Sequence, residues 1–267
     1  MSLPVFPPGG DPGPSFSELL RRAGEGLPPP VQAAGDPQLG VTHGTTIVAI
    51  KYADGVIMAG DRRATEGYSI AHRAIEKVFP ADRYSGVSIA GAAGPAMEMV
   101  RLFQTELEHY EKVEGSVLSL EGKANKLSGM IRSNLPAAMQ GFVVVPIFAG
   151  YDTRRRLGRI YKYDVTGGRY EEADYHSTGS GGRDARTTIK LGYRDGLARA
   201  EAIELAIDGL YEAADEDTAT GGPDPVRGIY PTVATITEAG FERVADDEVA
   251  EHFRTLIQRK SDTGQQP

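Results

Sequence analysis

Apolar residues along this chain follow two rhythms, one of period two and one near 3.6, and each change of rhythm marks a predicted element. Residues 45–52 and 56–61 are rich in β-branched and apolar side chains and join across Asp54-Gly55, a strong hairpin signal. Two more β-like runs lie at 76–79 and 84–90, before a break at Gly91 and Gly94. Pro95 suits a first helical turn, and Val100, Phe103, Leu107 and Tyr110 then recur at helical spacing as far as residue 112. A second helix carries Leu120, Ala124, Leu127, Ile131 and Leu135, and is expected to stop before Pro136. Residues 142–151 read as a buried strand, and 159–165 with 169–174 as a hairpin across Gly167-Gly168. Helical segments follow at 183–192 and 198–215, the latter carrying Ile203, Ile207, Leu210 and Ala214. Strands at 227–238 and 241–244 precede a last helix marked by Val249, Phe253, Leu256 and Ile257, and 261–267 reads as a frayed end.

The order is strands, two helices, strands, two helices, strands, helix. Hairpins in each strand block argue for antiparallel sheets, and the helices must bury their apolar stripes against them. Two sheets stacked face to face with helices outside is the economical α+β arrangement, although periodicity alone does not separate it from another α+β layout. Upstream the texture differs. Residues 1–44 hold nine of the 17 prolines and eight of the 33 glycines. That composition predicts a flexible leader outside the core, with at most a short helix at 15–22. Residues 45–267 then form one domain without internal repeats.

Charge and composition narrow the chemistry. A net charge of −8 speaks against a generic nucleic-acid binder. The absence of cysteine excludes disulfides, thiolate nucleophiles and cysteine-based zinc sites. The most apolar stretch, 141–151, contains Pro146 and is too short to span a bilayer. Pro4, Pro7 and Pro8, together with a first basic residue only at Arg21, argue against a secretory signal. A soluble cytoplasmic protein is the expectation. The histidines at 43, 72, 109, 176 and 252 lack ligand-like spacing, so no metal and no cofactor is expected. The glycine-rich run at 177–182 has no lysine to make it a phosphate loop.

The leader boundary carries the chemistry. A cut after Gly44 would leave Thr45 as an N-terminal residue on a rigid strand, supplying both a nucleophilic hydroxyl and its own α-amine as base. A nearby ammonium would ease loss of the hydroxyl proton, a carboxylate would orient that ammonium, and a backbone N–H would hold an oxyanion. Taken alone, Thr45-Thr46 is more commonly a plain strand pair.

Several segments change that balance when taken together. They are Gly44-Thr45-Thr46-Ile47-Val48-Ala49, Met58-Ala59-Gly60-Asp61-Arg62-Arg63-Ala64-Thr65, Glu76-Lys77-Val78 and Ile89-Ala90-Gly91, followed by 106–112, 137–141, Thr178-Gly179-Ser180-Gly181 and 218–228. In this order and at these separations the chain resembles the proteasome β-subunit family of the actinobacterial type, over 45–267. The resemblance implies a four-layer αββα sandwich of the N-terminal-nucleophile hydrolases and removal of the leader at Gly44-Thr45. It implies that Thr45 is the nucleophile, Lys77 the essential ammonium, Asp61 the carboxylate that holds it, and Gly91 the oxyanion-hole residue. Ser180, Asp217 and Thr220 (where serine is commoner) would surround the α-amine. Thr65 would pair with the extended substrate, and Ala64, Ile75, Phe79, Ile89, Ala93 and Met97 would line an uncharged specificity pocket. It further implies stacked seven-membered rings with other β-subunits and α-subunits, a ring ATPase reached through the α rings, and substrates bearing a ubiquitin-like tag. A non-catalytic ring subunit and a simpler two-ring threonine protease are the competing readings.

Overall fold

The computed structural model describes residues 13–22, 44–66 and 69–262. Strands β1 (Thr46–Tyr52) and β2 (Gly55–Gly60) form the expected hairpin, with Lys51 opposite Val56. β3 (Ala64–Glu66) and β4 (Ser69–His72) make a small separate ribbon, and β5 (Val78–Asp82) and β6 (Ser85–Gly91) a second hairpin. Helices α2 (Ala93–Glu114), α3 (Leu120–Ser133) and α4 (Leu135–Ala138) follow a short leader helix α1 (Phe16–Arg22) in the numbering. Next come β7 (Val144–Asp152), β8 (Leu157–Tyr163), β9 (Arg169–Glu172) and β10 (Tyr175–Gly179). Then α5 (Gly182–Gly192), α6 (Arg199–Glu216), β11 (Thr232–Thr237), β12 (Gly240–Arg243) and α7 (Asp246–Asp262) complete the chain.

Two antiparallel five-stranded sheets result, ordered β10-β1-β2-β11-β12 and β5-β6-β7-β8-β9. Strand alternation explains why they stack. On β1, Val48 and Ile50 join a core with Ile203, Ile207 and Leu210 of α6 and Phe253 of α7. Ile47 and Ala49, on the opposite face, meet Ile147, Ala149 and Ile160 of the other sheet. That sheet turns Phe148 and Tyr161 outward onto Phe103 of α2 and Leu127 of α3. Both faces of each sheet are therefore covered, which is why β1, β2 and β7 read as nearly continuous apolar runs. The layers are helix, sheet, sheet, helix, the αββα sandwich expected.

Three details depart from the sequence reading. Residues 175–179 form a strand because their backbone closes the edge of β1, from Thr46 opposite Gly179 to Ile50 opposite Tyr175; Ser177 and Gly179, running on into the glycine-rich turn, concealed it. The strand expected at 227–238 begins only at Thr232, since Asp224 and Ile229 close a turn ahead of it. Helix does not end at Pro136: α4 restarts with Pro136 in its first turn, where the missing N–H leaves no gap. The leader expectation, 1–44, falls largely outside the described residues. Its described portion carries α1, whose Phe16 N–H donates to Glu106 Oε2 at 3.2 Å. Of the expected frayed end, 261–262 lie in α7 and the remainder is outside the described residues.

The outer core supplies a direct test. Phe148 is wholly buried, edge-on to Phe103 with ring centroids 5.7 Å apart and stacked near Tyr161 at 6.0 Å. Phe148→Ala is expected to destabilise the full-length chain by about 3–5 kcal/mol through the cavity it leaves, measured by denaturant unfolding.

Candidate active site

The site is assembled where β1 begins. The β1–β2 hairpin brings Asp61, one residue beyond β2, opposite Thr46: Asp61 N–H donates to Thr46 O at 3.1 Å, and Thr46 N–H returns to Asp61 Oδ1 at 2.8 Å. Asp61 is fully buried and both its oxygens are saturated. Oδ1 also accepts from Lys77 Nζ at 2.6 Å, while Oδ2 accepts from the backbone N–H groups of Arg63 and Gly221, both at 2.9 Å.

Lys77 stands at the entry to β5, where its carbonyl accepts from Ile89 N–H at 2.9 Å. The residue is only 3% exposed, and its ammonium donates to Asp61 and, at 2.6 Å, to the carbonyl of Arg63. Burial pulls its pKa below the ordinary lysine value; Asp61 works against that fall and Arg63 adds to it. The pair fixes a compact positive charge in direction, and Lys77 lines an open cavity. Thr45 and Gly91 line the same cavity.

Thr45 is nearly buried, and its hydroxyl donates to the carbonyl oxygen of Gly44 at 2.7 Å. Its N–H donates to Ser180 Oγ at 3.2 Å, and its carbonyl accepts from Ser180 N–H at 2.8 Å. The Ser180 hydroxyl donates to Asp217 Oδ2, which also accepts from Thr220 Oγ1 at 2.6 Å. Thr220 therefore has no proton left for Thr46, so across their 2.6 Å contact Thr46 Oγ1 donates and Thr220 accepts. Gly181 N–H completes the line by donating to Thr46 Oγ1 at 3.0 Å. Burial pushes the Asp217 carboxyl up, but the hydrogen bonds from Ser180, Thr220 and Ala219 outweigh it and hold the pKa below the ordinary value.

Glycines permit these approaches. A Cβ on Gly44 would fall 1.8 Å from Ala219 Cβ, and one on Gly179, at φ +105°, would fall 1.7 Å from the Thr45 carbonyl oxygen. Gly91 adopts φ +106° with Val143 O against it.

Most of the residues expected from sequence converge. Thr45, Asp61, Lys77, Ser180, Asp217 and Thr220 form connected hydrogen-bonded groups, and Gly91 faces the shared cavity. Thr65 Oγ1 accepts from Gly44 N–H at 3.2 Å. Ala64, Ile75, Ile89 and Ala93 line the cavity, joined by Ala96. Phe79 and Met97 do not: they pack against the core between α2 and the second sheet. Thr46, Arg63, Gly181 and Gly221 were not anticipated. Three of these act through backbone groups, which no side-chain pattern betrays, and Thr46 looks like any strand threonine.

The αββα sandwich with this cluster at the open end of β1 defines the N-terminal-nucleophile class of hydrolase fold. A sequence model of the family described as "Proteasome subunit" matches residues 41–226. The chain is 61% identical to "Proteasome subunit beta" of Acidimicrobium ferrooxidans over 266 residues, covering 99% of this chain and 96% of that protein. It is 57% identical to "Proteasome subunit beta" of Streptomyces griseus subsp. griseus over 232 residues, 87% of this chain and 81% of that one. The chain belongs to the proteasome subunit family, proteases whose subunits assemble with one another in rings.

The lowered Asp217 pKa fixes a pH signature. A carboxyl depressed in the folded state stabilises above its unfolded pKa of about 3.9, and that stabilisation is lost as pH falls through the folded value. Asp217→Asn is expected to melt below wild type at pH 7, with the gap narrowing steadily as pH drops under 4. A gap independent of pH would contradict the charge's role.

Proposed function

We propose that this chain is a catalytic β-subunit of a 20S proteasome core, acting as a threonine endopeptidase that first cuts itself between Gly44 and Thr45. The carrying observation is the Thr45 hydroxyl, 2.7 Å from the carbonyl oxygen of Gly44 and lining the same cavity as the buried Lys77 ammonium. In the precursor Thr45 has no free amine, so a water serves as base while Oγ1 adds to the Gly44 carbonyl carbon. The C–N bond breaks as the nitrogen takes up a proton, leaving an ester on Oγ1. Water then hydrolyses the ester, releasing the leader's new carboxylate and restoring the Thr45 hydroxyl beside a free α-amine.

The mature site repeats this chemistry on substrate. The α-amine, bordered by Ser180, Asp217 and Thr220, takes the hydroxyl proton and later gives one to the departing amine. The Lys77 charge lowers the cost of forming the alkoxide, Asp61 fixes that charge, and the Gly91 N–H receives the oxyanion. Thr65 pairs with the extended substrate as an added strand. Residues 1–44 serve as propeptide and 45–267 as the catalytic domain. The subunit works in the cytoplasm within seven-membered β rings between α rings, on unfolded proteins delivered by a ring ATPase and marked with a ubiquitin-like tag. Intact Thr45, Asp61 and Lys77 in one buried cluster disfavour a non-catalytic ring subunit, and identity to proteasome β-subunits disfavours the two-ring protease.

Intact-mass measurement of particles assembled with an α partner is expected to show loss of 44 residues. Thr45→Ala should retain them and hydrolyse no peptide. Lys77→Ala should lose at least about a hundredfold in kcat, and Lys77→Arg should not restore it, because a planar fork cannot replace a compact charge. Active particles that keep the leader would overturn the proposal.

The cavity walls set the preference for the residue on the acyl side of the cut. Ala64, Ile75, Ile89, Ala93 and Ala96 are uncharged, and Glu76, which also lines the cavity, has its carboxylate bound by Arg243. Burial of a large apolar side chain there is worth about 1.5–3 kcal/mol, one to two decades in kcat/KM. Among fluorogenic peptides ending in Leu, Tyr, Arg and Asp, the first two should lead; a lead for Arg or Asp would refute the pocket.

A further inference from the structure

A second opening includes in its lining the two residues that clamp Asp61 through their backbone, Arg63 and Gly221. Its lining includes Arg62, Arg63 and Arg73 together with Gly221, Gly222 and Asp224. Three arginines lining one small pocket is an unbalanced arrangement in a chain of net charge −8. The acid at its edge does not neutralise them: Asp224 accepts from Arg227 Nη1 at 2.5 Å and from Arg227 N–H at 3.1 Å. Arg62 spends Nη2 on the carbonyl of Ala74 at 3.2 Å, and its Nη1 lies 3.8 Å from Asp246, which Arg243 also approaches at 3.5 Å. Arg62 Nε is buried with no hydrogen-bond partner among the described residues. Arg63 gives Nη1 to the carbonyl of Thr218 at 2.9 Å, a neutral partner. Arg73 makes no ion pair among the described residues.

Of the three, only Arg62 approaches a carboxylate among the described residues, that of Asp246 at 3.8 Å, and guanidiniums with so little countercharge match an oxyanion in charge and in fork geometry. We propose that this pocket is an oxyanion-binding site, taking a phosphate or carboxylate group between Arg62, Arg63 and Arg73. The N–H groups that clamp Asp61 Oδ2 belong to Arg63 and Gly221, two residues of this lining that touch each other. The oxyanion has two possible sources, free phosphate or a carboxylate presented by a neighbouring subunit.

The test is calorimetric titration of inorganic phosphate into the full-length chain, with chloride at matched ionic strength as control. Saturable one-to-one binding is expected, weakened at least about tenfold by Arg73→Gln and further by Arg62→Gln/Arg73→Gln. Arg73 is exposed, so its replacement leaves the fold intact and keeps the comparison valid if the double variant fails to fold. Repeating the titration on the assembled particle separates the sources. Retained binding identifies a free anion, and binding lost on assembly identifies a neighbour's carboxylate. No saturable binding by the unassembled chain, or equal binding by Arg73→Gln, would overturn the site.

Discussion

Asp61 and Lys77 sit 2.6 Å apart with almost no contact with water. Removing two charges from solvent costs several kcal/mol for each ion, and their mutual attraction offsets this only if the remaining donors and acceptors are also met. Here they are met by backbone: Thr46, Arg63 and Gly221 supply N–H groups to the carboxylate, and Arg63 supplies a carbonyl to the ammonium. Those groups come from the start of β1, the segment after β2 and the loop after α6. One ion pair thus ties three distant stretches together, and Thr45 inherits its position from the first of them.

The sandwich makes such a pair possible. Because helices cover the outer faces of both sheets, the end of β1 lies in a dry environment where a lysine loses hydration and a fixed charge acts at full strength. Rigidity at this point is reinforced by close approach. Gly44 fits against Ala219, and Gly179 fits against the Thr45 carbonyl, at distances that no side chain would permit. Four hydroxyl or carboxylate groups, on Ser180, Asp217, Thr220 and Thr46, then hold the backbone on the other side of Thr45.

Much of this was legible beforehand, for identifiable reasons. Long helices with regular apolar stripes, such as Val100 to Leu107 on α2, and hairpins with Asp-Gly or Gly-Gly corners announce themselves locally. β10 did not, because its role is to pair with β1 across more than a hundred residues, and its own Ser177, Thr178 and Gly179 carry no strand signature. The side-chain members of the site were legible through the order and separation of their segments. The backbone members were not, since Arg63, Gly181 and Gly221 contribute atoms that every residue possesses. Phe79 and Met97 lie outside the cavity lining for a related reason: an apolar residue near a pocket in sequence is as readily claimed by the adjoining core.

A double-mutant cycle on the Asp61–Lys77 pair tests its central position most directly. In a Thr45→Ala background, which removes self-cleavage from the comparison, denaturant unfolding would be measured for Asp61→Asn, Lys77→Met and the two combined. Each single change leaves a buried charge or dipole without its partner and is expected to cost about 3–5 kcal/mol. The double variant should then lose well under the sum of the two. Additive losses, or single variants as stable as the parent, would contradict the pair's role in holding the site together.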